Sequence, residues 1–288
     1  MKRLSWLALC LVLVFGLLFV IGVQAKKPKK DFRFVIIPKV VHPWFDLVHQ
    51  GAEAQAKLLS EQTGCKFRID YRAPSKADVV MQNMILEQAA ATRPDGIAID
   101  LLDADGNRAV LQEIINQGIP VVIFDSEPPE GMGLTSIGND FAEQAAIASE
   151  RLVELLGGKG KVAIMQGVPT APNHRIRYEA HKAVFAKYPG TAHPDLKGFV
   201  SCDAAGPIGI GLAIKEAGKT GKVLSVGLDN LNQLLALIKE GVVESSSSTK
   251  PEMQGAWSVM ALWMQALGQP TPKKIDTGIL IITKDSLK

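Results

Sequence analysis

At 288 residues, 47% hydrophobic and 21% charged, the chain has globular composition and room for two lobes with sizeable cores. A net charge of +3, with Lys2 and Arg3 in an N-terminal leader, excludes the strong basic field expected of a nucleic-acid-binding protein. Cys65 and Cys202 fall in different halves with no spacing motif, which points to free buried thiols and away from a disulfide or metal site.

Residues 1–25 have the three-part layout of a secretory signal peptide: a basic start, an apolar run, and small residues Val23 and Ala25 flanking Gln24 before Lys26. An uncleaved anchor is the alternative, because the apolar run approaches the ~20 residues that span a bilayer. Cys10 lacks a small residue before it, which weighs against a lipoprotein site. Residues 26–31, "KKPKKD", read as a solvated linker.

Beyond the leader, short β-branched runs ("FVIIP", "GIAID", "PVVIFD", "KVAIMQG", "GFVSCD", "KVLSVGLD") alternate with helical periods. In the first helix Phe45, Val48, Ala52, Ala56 and Leu59 share one face, and Pro43 suits its first turn. "DADGNR" begins like a calcium loop. Its glycine is misplaced and Ile114 stands at the twelfth position, so it is a turn capping the next helix. "SSSST" reads as a strand end entering a linker. The alternation predicts an α/β protein with two doubly wound parallel-sheet lobes.

Ligands of open parallel sheets sit beyond the carboxyl ends of the strands. Lys39, Asp100, Asp125, Asp203, Asp229 and Thr249 stand at those ends. A single aspartate there is an ordinary helix cap or turn former. Four together, with Lys39 and nearby arginines, point to a site, because an ionised carboxylate accepts from two neighbouring hydroxyls of a polyol. In "HPWFD", Trp44 offers a flat face for a sugar ring, whereas Phe45 belongs to the core stripe. In "NHRIR", Arg175 is the candidate for gripping paired oxygens, and Arg177 reads as a surface charge.

No strand is followed by G-x-G-x-x-G, and there is no P-loop, no G-x-S-x-G elbow and no histidine metal spacing. An exported sugar-acting enzyme using Asp125 or Asp229 as acid–base rests only on the carboxylate cluster. No cofactor is expected.

Taken in order, "HPWFDLVHQGAEAQAKLL", "RPDGIAIDLLD", "GIPVVIFDS", "SIGNDFAEQAA", "HRIRYEAHKAVF", "CDAAGPIGIGLAIKEAG" and "SVGLDN" resemble the periplasmic sugar-binding proteins of ABC importers, the ribose-binding-like group. The resemblance runs from Phe32 to the end. It implies a monomeric receptor of two similar lobes: residues 32–138 with 250–276, and 139–249 with 277–288. Three strand crossings join them, near Gly138-Asn139, Thr249-Lys250 and Asp276-Thr277. A sugar closes the cleft and the closed form docks on a permease; presentation to a chemoreceptor or kinase is the alternative. The implied ligand contacts are Lys39, His42, Trp44, Phe45, Asp100, Asp125, Ser126, Arg175, Asp203, Asp229 and Thr249. Ser126 stands where ribose binders often carry arginine, and Lys39 in "IPK" looks like members that take other sugars.

One segment departs from the pattern. In "KYPGTAHPDLKGFV" only Thr191-Ala192 stands where the resembled family has a strand and a helix. The C-terminal lobe is therefore expected to be one βα unit short near residues 190–193. The helix over 174–187 then either changes face or makes a left-handed crossover, against the right hand found in about 98% of cases. The expectation is a weakened C-terminal lobe and impaired sugar binding.

Overall fold

A computed structural model describes residues 29–188 and 196–288; the leader and the junction at 189–195 lie outside the described residues. Phe32–Lys288 forms one body, distinct from Met1–Asp31.

The first lobe is built on a six-stranded sheet. Its strands are β1 (Asp31–Ile37), β2 (Lys66–Tyr71), β3 (Gly96–Ile99), β4 (Val121–Phe124), β5 (Thr135–Gly138) and β10 (Lys274–Asp276), in the order β10-β5-β4-β3-β1-β2. Alternate residues of β1 serve two cores. Phe34 and Ile36 pack under helix α1 (Pro43–Thr63), while Val35 and Ile37 face α2 (Val79–Ala91) and α3 (Ala104–Asn116). A strand buried on both faces must be apolar throughout, hence "FVII". The expected stripe Phe45, Val48, Ala52, Ala56 and Leu59 is the buried face of α1. Gly51 of α1 lies against Glu252 backbone on α8 (Pro251–Ala266), and Gly255 of α8 lies against Val48 backbone. A β-carbon at either glycine would overlap main-chain atoms, so the helices meet only because both side chains are absent. Asp103 caps α3 by accepting from the N–H groups of Asp105 and Gly106, as a turn former does.

The second lobe carries a five-stranded sheet, β11-β9-β8-β7-β6. The strands are β6 (Lys161–Met165), β7 (Leu196–Ser201), β8 (Leu224–Leu228), β9 (Ser245–Ser248) and β11 (Leu280–Thr283), the last antiparallel. Its helices are α4 (Phe141–Leu155), α5 (Pro172–Phe185), α6 (Gly206–Glu216) and α7 (Asn232–Glu240). The serine run is β9, a central strand with all four residues buried. The chain passes between sheets after β5, after β9 and after β10.

The two lobes differ at one edge. In the first, β2 lies outside β1; in the second, β6 is the outermost described strand. The steps β6→β7, β7→β8 and β8→β9 all join parallel neighbours and advance in one direction across the sheet. Yet α5 lies on the α4 side, where Val184 and Phe185 pack with Ala148, Leu152, Val200 and Val226. The helices α6 and α7 of the next two steps lie on the other side, where Ile210, Ile214, Leu234 and Ile238 pack with Phe199. Equal direction over opposite faces means opposite hands. With the two later crossovers taking the usual right hand, β6–α5–β7 is left-handed, a rare arrangement. Of the two alternatives, the helix has kept its face.

Candidate functional site

Strand ends from both sheets converge on a cavity of about 200 Å³. That lies below the roughly 300–1,000 Å³ of pockets that take drug-sized molecules, and suits a small ligand.

The first lobe contributes Lys39, two residues beyond β1. Its Nζ lies 2.7 Å from Asp100 Oδ1 and 3.8 Å from Asp125 Oδ2. Asp100, after β3, is fully buried. Ser126 Oγ donates to its Oδ1 at 2.8 Å, and accepts from the Leu101 N–H at 2.8 Å. Burial raises the pKa of Asp100 well above the usual carboxylate range; Lys39 opposes that rise without cancelling it. Asp125, after β4, has φ of +45°, in the left-handed region. Such strain in a residue other than glycine gathers where a side chain must be aimed. Burial raises its pKa as well, against the opposing charges of Lys39 and Arg177. Its Oδ1 is buried, and the Gln254 amide beside Asp125 favours the ionised form.

His42 caps α1, its Nδ1 accepting from the Trp44 N–H at 3.2 Å. Desolvation lowers its pKa against the pull of Asp203 and Asp229, so the neutral ring carries its proton on Nε2. Trp44 and Phe45 are both buried and meet edge to face, with centroids 5.1 Å apart. Trp44 Nε1 donates to Thr249 Oγ1 at 3.2 Å, and that hydroxyl donates to Asp229 Oδ1 at 2.6 Å. This relay runs from the first lobe through the crossing after β9 to the end of β8. Asp229 has φ of +68°, the same backbone feature as Asp125.

The second lobe answers with the start of α5. Asn173 donates to Asp125 Oδ2 at 2.8 Å and accepts from Lys39 Nζ at 3.2 Å. His174 Nδ1 accepts from the Val168 N–H at 2.9 Å, and burial lowers its pKa to about 3, keeping it neutral. Arg177 is 2% exposed, donates from Nε to Gln144 Oε1 at 2.9 Å and lies over the Phe141 ring. Gln144 is itself held by the Ser247 carbonyl at 2.9 Å. Asp203, beyond β7, accepts from the Gly206 N–H at 2.5 Å and so fixes the start of α6.

Among the sequence candidates, Lys39, His42, Trp44, Phe45 and Asp125 line the cavity from one lobe, and Asp203 and Asp229 from the other. Asp100 and Thr249 lie behind that lining, bonded to Lys39 and Asp229 within it, and Ser126 lies further back, bonded to Asp100. Arg175 is exposed and off the cavity; Arg177 occupies the wall in its place. The reason is helical phase: Asn173 and Arg177, four apart, share a face that Arg175 cannot. Asn173 and His174 were not among the candidates, and the four-residue spacing within "NHRIR" was the only signal for the first.

The family model for the periplasmic binding protein domain matches residues 33–192 and 190–270, two stretches that meet at the short junction. The D-ribose/D-allose-binding protein of Pseudomonas aeruginosa is 22% identical, over 90% of this chain and 89% of its own. The D-apiose import binding protein of Actinobacillus succinogenes is 22% identical, over 77% of this chain and 76% of its own. A Burkholderia graminis ABC transporter solute-binding protein, solved in complex with D-arabinose, superposes with a TM-score of 0.83 at 27% identity, covering 91% of this chain and 98% of its own.

Proposed function

The chain belongs to the periplasmic binding protein family, and we propose that it is an extracytoplasmic receptor that captures a small sugar or related polyol between its lobes and delivers it to the membrane permease of an ABC importer. The observation that carries this reading is the division of the cavity wall: Lys39, His42 and Asp125 come from one lobe, Arg177, Asp203 and Asp229 from the other. A ligand reaches both sets only when the lobes are together, so its binding free energy favours the closed form. Carboxylates at the strand ends accept from vicinal hydroxyls, and the Trp44–Phe45 pair gives an apolar wall for C–H faces.

The named relatives are binding proteins, and we read this chain as non-catalytic. Export is assigned to the leader at residues 1–25, and no described helix is long and apolar enough to cross a membrane. Titration calorimetry with a panel of aldopentoses, aldohexoses and ketohexoses tests the reading. Because Asp203, Asp229 and Thr249 follow strands inside the shortened edge, saturable one-to-one binding of at least one sugar is expected, against the impairment read from the sequence. A well-folded sample that binds none of them overturns it.

A further inference from the structure

Strand β9 breaks the pattern of the other interior strands. β1, β3 and β4 are buried on both faces and read "FVII", "GIAI" and "VVIF". β9 is equally buried, pairs with β8 on one side and β11 on the other, and reads "SSSS". Serine brings almost no apolar surface to a core, and a buried hydroxyl costs stability unless it is hydrogen-bonded. Packing therefore does not account for the run.

Its hydrogen bonds do. The Asp229 N–H donates to the Ser247 carbonyl at 3.2 Å, and the Asp229 carbonyl accepts from Ser246 Oγ at 2.6 Å. Thr249 donates to Asp229 Oδ1 from its N–H at 3.2 Å and from its hydroxyl at 2.6 Å. The run thus grips the backbone of Asp229 on both sides of its left-handed φ of +68°, and its side chain as well. Such a conformation persists where its surroundings over-determine it. Trp44 Nε1 can only donate, so the Thr249 hydroxyl accepts from it and directs its single proton at Asp229. Ser248 Oγ donates to the Thr249 carbonyl at 2.7 Å and fixes that peptide in turn. The Ser247 carbonyl also accepts from Gln144 Nε2, and Gln144 Oε1 accepts from Arg177 Nε. Two charged groups of the cavity wall are therefore oriented from one strand.

We propose that "SSSST" is a positioning strand: Ser246, Ser247 and Thr249 aim Asp229 at the ligand without touching the ligand themselves. This rests on the receptor reading above and deepens it. Thr249, the ligand contact implied by the resemblance, is buried behind the cavity lining and acts through Asp229. With Oδ1 held from behind, Oδ2 is the acceptor that Asp229 presents to a sugar hydroxyl. An acceptor fixed in advance loses less freedom when the sugar arrives.

The test is calorimetry on the parent protein with the panel of aldopentoses, aldohexoses and ketohexoses. The tightest binder of that panel is then titrated into Thr249→Val, Thr249→Ser, Ser246→Ala and Ser245→Ala, each with its urea midpoint measured. Thr249→Val keeps the shape and loses the hydroxyl, and its affinity is expected to fall about 10-fold or more, the size of one bond to a charged group. Thr249→Ser keeps the hydroxyl and should bind within about 3-fold of the parent. Ser246→Ala loses a neutral bond and should weaken binding about 3-fold or more. Ser245, at the far end of β9, bonds Glu244 and is the control. Ser245→Ala should stay within about 2-fold in affinity, whatever its urea midpoint, because it shares no partner with Asp229. A strand with a merely structural role would move the midpoints and leave the affinity of the folded protein alone. Unchanged affinity in Thr249→Val, or equal losses in Thr249→Val and Thr249→Ser, overturns this inference and leaves the receptor reading intact. A loss in Ser245→Ala as large as that in Ser246→Ala also overturns it. Folded parent protein that binds no member of the panel overturns both.

Discussion

Asn173 donates its side-chain amide to Asp125 Oδ2 at 2.8 Å, joining a helix start in one lobe to a strand end in the other. Its carbonyl oxygen accepts from Lys39 Nζ, so one neutral side chain ties two charged groups across the cleft. Both bonds bridge the lobes, so opening the cleft would break them. Asn173→Ala is expected to shift the unliganded protein toward open conformations and to weaken ligand binding about 10-fold, the size of one bond to a charged group. Small-angle scattering reads the first effect as a larger radius of gyration, and calorimetry reads the second. An unchanged radius with unchanged affinity would show that the contact does not bias closure.

The two arginines of "NHRIR" should behave oppositely. Arg175 is exposed, and its replacement by alanine should leave affinity within about 2-fold, as for surface positions generally. Arg177→Lys keeps the charge but loses the planar grip on Gln144 and the Cys202 carbonyl. Affinity should fall by about 10-fold or more, because the lysine cannot reproduce that fork. The reverse order of effects would return the ligand role to Arg175.

Lys39 is the counter-charge of a fully buried carboxylate. Lys39→Met leaves Asp100 uncompensated and should destabilise the first lobe by about 3–5 kcal/mol. The double variant Lys39→Met with Asp100→Leu should recover most of that loss, since an apolar pair needs no solvation. Urea denaturation of the three proteins measures both steps. A double variant no more stable than the single one would show that the pair's geometry matters beyond its charge.

His181 sits fully buried between the Ser149 hydroxyl, 2.7 Å from Nδ1, and the Ser201 carbonyl, 3.1 Å from Nε2. Burial lowers its pKa from 6.5 to about 4. As pH falls, the unfolded chain takes up this proton first. The stability associated with the neutral ring is therefore full above about 6.5 and is lost progressively down to about 4. At about 1.4 kcal/mol per unit the loss approaches 3 kcal/mol. Asp100 and Asp125, with raised pKa values, act in the opposite sense: the native state takes up their protons first. His181→Asn should then lose less stability than the parent protein between pH 7.5 and 4.5. Equal losses on denaturant titration would remove His181 as a source of acid sensitivity.

The second lobe should be the weaker. Its sheet has one strand fewer, and its β6 edge is bare among the described residues. Urea should unfold it first, giving two transitions, with ligand raising the first. Strand β6, "KVAIM", carries its single charge at one end, so an antiparallel two-fold pairing centred on Ala163 sets Lys161 against Met165 of the other copy. Self-association at high concentration is the expected liability of such an edge. Ala163→Lys should suppress it in sedimentation experiments by opposing like charges at the centre. A single coincident transition, or association unaffected by the lysine, would contradict these expectations.

Much of this was legible because period and position carry it. The β1 run and the α1 stripe could be read from spacing alone, and Asp125 and Asp229 stood out because each directly follows an apolar strand. Depth was not legible. Nothing in the sequence tells that Asp100 and Ser126 sit behind Lys39, because that depends on how far a lysine reaches across neighbouring strands. The phase of α5 was also hidden. Choosing between Arg175 and Arg177 requires knowing which face meets α4 and the cavity, and both arginines are equally polar. The hand of the β6–α5–β7 connection needs the same fact.

That reversed hand is what excision from a sheet of this kind would leave. When a terminal module is dropped from one margin of a wound sheet, two connections merge into one, and the merged connection inherits the face of the first and the direction of the second. Its chirality is a matter of connectivity, so no substitution can relax it. The disturbance would stay in one corner: Asp203, Asp229 and Thr249 hang from strands further in, paired with one another inside the β6 margin. Shape and binding chemistry are thus carried by separate parts of the lobe, and one can be curtailed while the other stays in register.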